Sequence, residues 1–152
     1  MAFEIDIRND QSLLPIDSVA IRRAVAVTLR EEHVRAAVIS ITVVDDATIH
    51  RLNREHLQHD YPTDVISFQL EFLPDEDGSI VEGEIIASAE TAMRMAPDGG
   101  WSAHSELLLY IVHGLLHLCG YDDLSPPDKA VMRSREHHNL ALLGLTPTWL
   151  PE

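Results

Sequence analysis

Two histidines four residues apart lie in the most apolar stretch of the chain, residues 107–118 (LLLYIVHGLLHL). In a helix this spacing puts His113 and His117 on one face with Cβ atoms about 6 Å apart, so both imidazoles can reach one metal ion. Imidazoles on an otherwise apolar helix need polar partners, because an unsatisfied buried polar group costs roughly 1 to 3 kcal/mol. The pattern therefore predicts a metal site on a buried central helix.

A third ligand is expected from the segment that follows this helix. Gly120 lets the chain turn back, so Tyr121, Asp122 or Asp123 could reach the metal.

Gly114, between the histidines, costs about 1 kcal/mol of helix propensity relative to Ala and predicts a close approach by another element. It also stands where an H-E-x-x-H metallopeptidase carries its glutamate base, which disfavours that chemistry. No general base or other catalytic residue can be assigned from the sequence.

The elements that must position these residues follow from the apolar periodicity. Strands are expected at 3–7, 37–44, 64–70 and 82–87, and helices at 15–32, from Asp45 or Asp46 to about 57, at 88–95, 102–118 and 125–143. The turn signal PDEDGS at 74–79 predicts an antiparallel hairpin between the third and fourth strands. These elements predict one α+β domain over residues 1–152, with a four-stranded mixed sheet and about five helices.

Two details of these elements can be checked directly against a structure. The second strand (AVISITVV) is β-branched and nearly continuous, which predicts that it is covered on both faces. Ser88 is the expected cap of the third helix, and Pro97 is expected to end it together with Gly99 and Gly100.

The charge of the chain is strongly acidic and unevenly distributed. The 25 acidic and 11 basic side chains give a net charge of −14, which taken alone argues against nucleic acid and anionic membranes as partners. Residues 1–60 nevertheless contain seven arginines against ten acids, whereas residues 61–152 contain four basic side chains against fifteen acids. Arginine suits bidentate contact with phosphate. The alternative is a solvated helix face on which the arginines pair with Glu31, Glu32 and Glu55.

The remaining composition favours an ordinary cytoplasmic protein. With 45% hydrophobic and 24% charged residues, the chain is neither collagenous, of low complexity nor largely disordered. The single cysteine, Cys119, excludes an intrachain disulfide and favours a reducing compartment. The start MAFEIDIRND does not resemble a signal peptide, and no apolar run approaches the roughly 18 to 20 residues that span a bilayer. No membrane partner is expected.

Four motifs in the same order resemble the YbeY family of bacterial endoribonucleases. They are ISITVVDDATIHRLN at 39–53, YPTDVISF at 61–68, GEI at 83–85 and HGLLHLCGYDD at 113–123. The resemblance implies a zinc-bound, single-strand-specific RNase of the cytoplasm. It further implies action on the small-subunit rRNA precursor at its 3′ end and in ribosome quality control. The small ribosomal subunit or its associated proteins would then be partners.

The chain departs from the family at the third metal ligand. The family commonly has a third histidine six residues after the second, where this chain has Asp123. Carboxylate is an acceptable zinc ligand, so we expect His113, His117 and Asp123 to hold one ion and leave a position for water, with Asp122 as the fallback ligand. The anionic ligand should make bound water less acidic than in a three-histidine site. Two histidines and one carboxylate also suit iron or manganese.

A second departure concerns contact with RNA phosphates. Many relatives carry an arginine where this chain has Leu57. Arg51, Arg54 and His59 are the residues expected to bind substrate in its place. Other polar side chains match the family or its motifs, although each also has an ordinary structural explanation in a turn, a strand start or a solvent-facing edge: Asn53, Asp60, Thr63, Asp64 and Glu84.

The function predicted from these features is metal-assisted cleavage of an RNA phosphodiester. One alternative is a non-catalytic ribosome assembly factor in which the metal is structural, and another is a metal-dependent hydrolase of a different substrate. Because the chain is acidic, RNA binding is expected to depend on a local positive cleft formed by the metal and a few arginines.

Overall fold

The structure is a computed structural model that describes residues 2–59 and 63–148. Its elements follow the predicted order: β1 (Ala2–Asn9), α1 (Ser18–Glu31), β2 (Val34–Val44), α2 (Asp46–Leu57), β3 (Val65–Leu73), β4 (Ser79–Ser88), α3 (Ala89–Gly99), α4 (Ala103–Leu118) and α5 (Pro126–Leu142). The predicted α+β architecture, with four strands and five helices in the described residues, is confirmed. That all of residues 1–152 form one endoribonuclease-like domain stays a prediction.

The four strands form one mixed sheet in the order β1-β2-β4-β3. β1 pairs with β2 in parallel and β2 with β4 in parallel, whereas β3 and β4 are antiparallel, as the turn signal between them predicts. β1 alternates as expected, with Phe3, Ile5 and Ile7 turned to the core and the charged residues between them exposed. The sheet therefore presents one apolar face on which helices can pack.

α4 is the buried centre of the fold and lies directly on this face. Eleven of its residues are buried. A Cβ atom added at Gly114 would lie 3.2 Å from Cγ2 of Ile85 on β4, so the glycine permits the close approach of helix and sheet that its position predicts. A smaller cluster on the other face of the sheet packs α2 against Val44 and Ile66.

The helix caps agree with the sequence. The side chains of Asp45, Ser88, Ser102 and Ser125 each accept a hydrogen bond from a backbone N–H three residues on. Asp17 caps α1 in the same way, so this helix begins three residues later than Pro15.

Two expectations about the elements are wrong. Pro97 does not end α3 but lies within its last turn, and the left-handed Gly100 (φ 70°) ends the helix instead, with its N–H donating to the carbonyl oxygen of Pro97 at 3.2 Å. β2 is not covered on both faces, because α2 covers only its C-terminal end. Val38 in its middle is 44% exposed.

Within residues 2–59 and 63–148, every helix is too short or too polar to cross a membrane.

Candidate metal centre

The two histidines of α4 converge as their spacing predicts. The Nε2 atoms of His113 and His117 lie 3.1 Å apart, and each side chain is about one quarter exposed at the surface of an otherwise buried helix. α4 ends at Leu118, and Gly120 adopts a left-handed φ of 97° that turns the chain back across the end of the helix. This turn brings the segment after Gly120 next to the imidazoles.

Asp123 completes the cluster. Its Oδ2 atom lies 3.4 Å from Nε2 of His113 and 3.5 Å from Nε2 of His117. One ligand atom from each of the three residues lies within 4.8 Å of the others. Asp122 is exposed and accepts a hydrogen bond from the backbone N–H of Asp123 at 2.7 Å. The structure therefore brings together His113, His117 and Asp123 and leaves Asp122 outside.

The hydrogen bonds around the cluster orient both imidazoles. Nδ1 of His117 donates to the carbonyl oxygen of Tyr121 at 3.0 Å, and Nδ1 of His113 lies 3.1 Å from the carboxylate oxygen Oε1 of Glu136. Carbonyl and carboxylate oxygens only accept, so the N–H of each neutral ring is at Nδ1 and the lone pair is at Nε2. Two Nε2 lone pairs and one Asp123 oxygen then face one another. This donor set fits a divalent metal ion, which would satisfy all three acceptors at once.

The charges around His113 also favour a cation at this point. Burial penalises the imidazolium form, but the hydrogen bond to Glu136 and the negative charges of Glu136, Asp123 and Asp64 outweigh it and raise the pKa of His113. The same negative field that favours a proton on the ring favours a bound metal ion.

Glu136 contacts the cluster through His113 and was not identified from the sequence. It lies on α5 in a polar stretch, yet its side chain is 1% exposed. Its second carboxylate oxygen, Oε2, is buried and has no hydrogen-bond partner among the described residues. The helical spacing of Met132, Glu136, Asn139 and Leu140, which are the buried residues of α5, is the signal that could have identified it.

A groove of about 520 Å³ opens beside the cluster, with His113 in its wall. α3, α4, α5 and the residues before β3 form its sides. Two arginines of this groove, Arg94 and Arg133, were not selected from the sequence. The described residues that line it are Thr63, Asp64, Thr91, Arg94, Met95, Asp98, Gly99, Glu106, Leu109, Tyr110, His113, Arg133 and Glu136.

The residues predicted to bind substrate lie elsewhere. Arg51 and Arg54 are exposed on α2, and the exposed His59 follows this helix. α2 packs on the other face of the sheet from α4, and these three residues are not among the described residues of the groove wall. Their role in substrate binding stays a prediction.

The other family-matched polar residues divide in the same way. Thr63 and Asp64 line the groove, whereas Asn53 is buried within α2. Glu84 is exposed between Gly83 and Ile85, which contact α4, so it faces solvent on the opposite side of the sheet. Asp60 lies outside the described residues.

Comparison with known proteins identifies close sequence relatives. A family model described as Endoribonuclease YbeY matches residues 6–144. A protein of that name from Rhodopirellula baltica is 51% identical over 109 residues, which cover 70% of this chain and 54% of the relative. Proteins of the same name from Roseiflexus castenholzii and Carboxydothermus hydrogenoformans are each 42% identical, and the matches cover 86% and 90% of both chains, respectively. The resemblance carried by the four motifs is confirmed.

A solved structure has the same fold. The solution structure of a protein from Thermotoga maritima matches with a TM-score of 0.58 and 21% identity, over 91% of this chain and 90% of that chain. At this identity the likeness concerns the arrangement of strands and helices alone.

Proposed function

The chain belongs to the YbeY family of endoribonucleases, and from this premise we propose that it is a metal-dependent endoribonuclease of single-stranded RNA that matures the 3′ end of small-subunit rRNA. The observation that carries the metal dependence is the convergence of three acceptors, namely Nε2 of His113, Nε2 of His117 and Oδ2 of Asp123. Lone pairs at these distances repel one another unless a proton or a metal ion lies between them, and this set of two imidazoles and one carboxylate suits a metal ion.

The residues of the proposed site have two roles, metal binding and orientation of the imidazoles. His113, His117 and Asp123 would hold the ion, and Glu136 and the carbonyl oxygen of Tyr121 keep the two imidazoles in the tautomer that exposes Nε2. A metal held there would supply Lewis-acid chemistry, which polarises a phosphoryl oxygen or activates water. The groove beside His113 provides space for the RNA strand next to this point.

We assign zinc as the ion. Two imidazole nitrogens and one carboxylate oxygen, with a fourth position for water or substrate, form a typical catalytic zinc site. The same ligands also suit iron or manganese, and elemental analysis of the purified protein distinguishes the three. A cytoplasmic location, contact with the small ribosomal subunit or its proteins, and a role in ribosome quality control belong to the same proposal, and family membership is their support.

The decisive experiment compares cleavage of a single-stranded RNA by the wild-type protein, His117→Ala and His138→Ala. His138 is an exposed histidine on the neighbouring helix α5 that pairs with Glu31, so its replacement is the matched control. We expect wild type and His138→Ala to cleave single-stranded RNA and leave duplex RNA intact, and His117→Ala to be inactive.

Equal cleavage by wild type and His117→Ala would contradict the proposal and indicate a contaminating nuclease. A wild-type protein that binds the small subunit without cleaving RNA would instead favour the assembly factor with a structural metal. Activity on small esters or peptides, but not on RNA, would favour a different hydrolase.

A further inference from the structure

The groove next to the metal cluster has the size of a ligand site. Its volume of about 520 Å³ lies within the range of small-molecule sites, which is roughly 300 to 1,000 Å³. It extends from His113 on α4 toward Arg94 on α3 and Arg133 on α5. Because His113 is one of the three converging ligands, a strand bound in this groove passes beside the metal cluster.

Arg133 is coupled to the metal cluster through one carboxylate oxygen. Its Nη1 atom lies 3.6 Å from Oε1 of Glu136, the same oxygen that holds Nδ1 of His113 at 3.1 Å. The Arg133 side chain is 51% exposed, so part of the guanidinium remains accessible from the groove. A phosphate that approached the metal cluster would therefore meet this guanidinium.

Arg94 is held at the α3 side of the groove by a polar network. Its Nη1 donates to Oδ2 of Asp46 at 2.6 Å and its Nη2 to Oγ1 of Thr91 at 3.3 Å. Asp46 is itself fixed, since its other oxygen accepts hydrogen bonds from the hydroxyls of Ser88 and Thr91. The Arg94 side chain is 55% exposed. An arginine oriented in advance in this way loses little conformational entropy when it binds an anion.

The acidic residues of the groove restrict where a phosphate can lie. Glu106 accepts a hydrogen bond from Nε1 of Trp101 at 2.7 Å, and Glu136 contacts His113 and Arg133 through Oε1, while its Oε2 is buried without a partner among the described residues. Asp64 and Asp98 are exposed at the groove and repel phosphate. In a protein of net charge −14, attraction for an RNA backbone within this groove then comes from an ion held by the metal cluster and from the two arginines, which pair with Asp46 and Glu136 but are half exposed.

We propose that Arg94 and Arg133 bind the RNA backbone phosphates that flank the metal cluster, a role that rests on the proposed function and assigns its substrate groove. The two guanidinium groups lie on different helices of the groove wall, so together they align one strand past His113. The number of contacts is small, and binding is local and moderately dependent on salt.

The test measures binding of a fluorescent 2′-O-methyl single-stranded oligonucleotide by anisotropy at several salt concentrations, and electrophoresis after each titration checks that the oligonucleotide is intact. Three double variants each remove two positive charges: Arg94→Gln with Arg133→Gln, Arg51→Gln with Arg54→Gln, and Arg23→Gln with Arg30→Gln. The last pair lies on the exposed surface of α1 and controls for the general loss of charge. Elemental analysis and thermal melting of each variant report the metal content and the fold.

We expect the Arg94/Arg133 variant to bind the oligonucleotide about tenfold or more weakly. The plot of the logarithm of the association constant against the logarithm of the salt concentration should become less steep by about 1.4, since each contact with a single strand contributes about 0.7. The metal content of the Arg94/Arg133 variant should be unchanged. A double variant with Arg94→Lys and Arg133→Lys keeps both positive charges and should show most of the salt dependence of the wild type. The α1 control should keep the slope of the wild type.

Three results would overturn the assignment. If the Arg51/Arg54 variant loses the slope and the Arg94/Arg133 variant keeps it, the RNA follows α2, and the proposed endoribonuclease function stands. Loss of metal from the Arg94/Arg133 variant would show that the arginines act on the metal cluster rather than on RNA. A wild-type protein that neither binds nor cleaves single-stranded RNA would refute the proposed function as well.

Discussion

Two polar clusters at the C-terminal end of α4 differ in how their charges are balanced. In the first, the Glu32 carboxylate accepts hydrogen bonds from the Tyr121 hydroxyl at 2.6 Å, from Arg135 at 2.6 and 3.1 Å, and from Asn139 at 3.2 Å. In the second, His113, His117 and Asp123 present acceptors to one another. The charge of the Glu32 carboxylate is balanced within the fold by Arg135, whereas the three ligand atoms of the metal cluster have the arrangement of a cation site.

Tyr121 joins the two clusters. Its hydroxyl donates to Glu32, and its carbonyl oxygen accepts from Nδ1 of His117. The internally balanced cluster thus holds the turn that carries Asp123 to the histidines. In the Glu32 cluster a guanidinium neutralises the buried carboxylate and supports the fold, whereas in the metal cluster two imidazoles and one carboxylate converge in the arrangement of a metal site.

The largest effect should come from removing a ligand of the metal cluster. His113→Ala and His117→Ala should each abolish stoichiometric metal binding, because two remaining ligands cannot hold the ion against water. Elemental analysis of the purified proteins measures this, with His138→Ala as the control that keeps its metal. Retention of metal by both variants would show that the cluster is not a metal site.

Removing the support of His113 should have the next largest effect. Glu136→Ala should weaken metal affinity by about 10- to 100-fold, because the imidazole loses the partner that fixes its tautomer and orientation. Glu136→Gln should weaken it less, since the amide oxygen can still accept from Nδ1. Competition with a chelator measures both affinities. Unchanged affinity in the alanine variant, with an intact fold by thermal melting, would mean that Glu136 does not act on the metal cluster.

Neutralising the Glu32 cluster should change stability and leave metal binding intact. Glu32→Gln removes charge-assisted hydrogen bonds to Arg135 and Tyr121 and should lower the free energy of unfolding by about 1 to 3 kcal/mol. Urea denaturation at neutral pH gives this value, and chelator competition gives the metal affinity. A variant with full stability and reduced metal affinity would reverse the roles assigned to the two clusters.

The smallest effect is a dependence of stability on acidic pH. Burial opposes ionisation of Glu32, but hydrogen bonds from Arg135, Tyr121 and Asn139 outweigh it and lower its pKa below the ordinary value of 4.5. In acid the unfolded state then binds more protons at this group than the folded state. The stability difference between wild type and Glu32→Gln should therefore be constant above about pH 4.5 and shrink as the pH falls further. Urea denaturation from pH 7 to pH 3 measures it, and a difference that grows in acid would contradict the sign.

Much of the fold followed from local patterns. The alternation of β1, the cap residues Ser88, Ser102 and Ser125, and the turn at 74–79 each specify a short piece of backbone through contacts within a few residues. Pro97 and the outer face of β2 were predicted wrongly, because the end of a helix and the cover of a strand depend on what packs nearby. The sequence of β2 does not indicate that α2 covers only the C-terminal end of this strand.

In the candidate site, as in the fold, the contacts within a short piece of chain could be predicted and those between distant elements could not. A helix by itself holds residues four apart on one face, so the spacing of His113 and His117 was sufficient to predict their meeting. Asp123 was expected from the motif, and the turn at Gly120 brings it to the histidines. Glu136 is 23 positions from His113 and was missed, since its burial depends on how α5 packs against α4.

The family, the candidate metal ligands and the spacing of the two histidines on α4 could therefore be predicted from the sequence, because they depend on helix geometry and on contiguous motifs. The tertiary structure decided which carboxylate orients His113 and which arginines stand beside it. Arg94 and Arg133 come from different helices, and Arg51 and Arg54, which the sequence favoured, lie on α2 across the sheet. The reason is physical: a contact within one helix is a property of the helix, whereas a contact between helices exists only once a common core has set their positions.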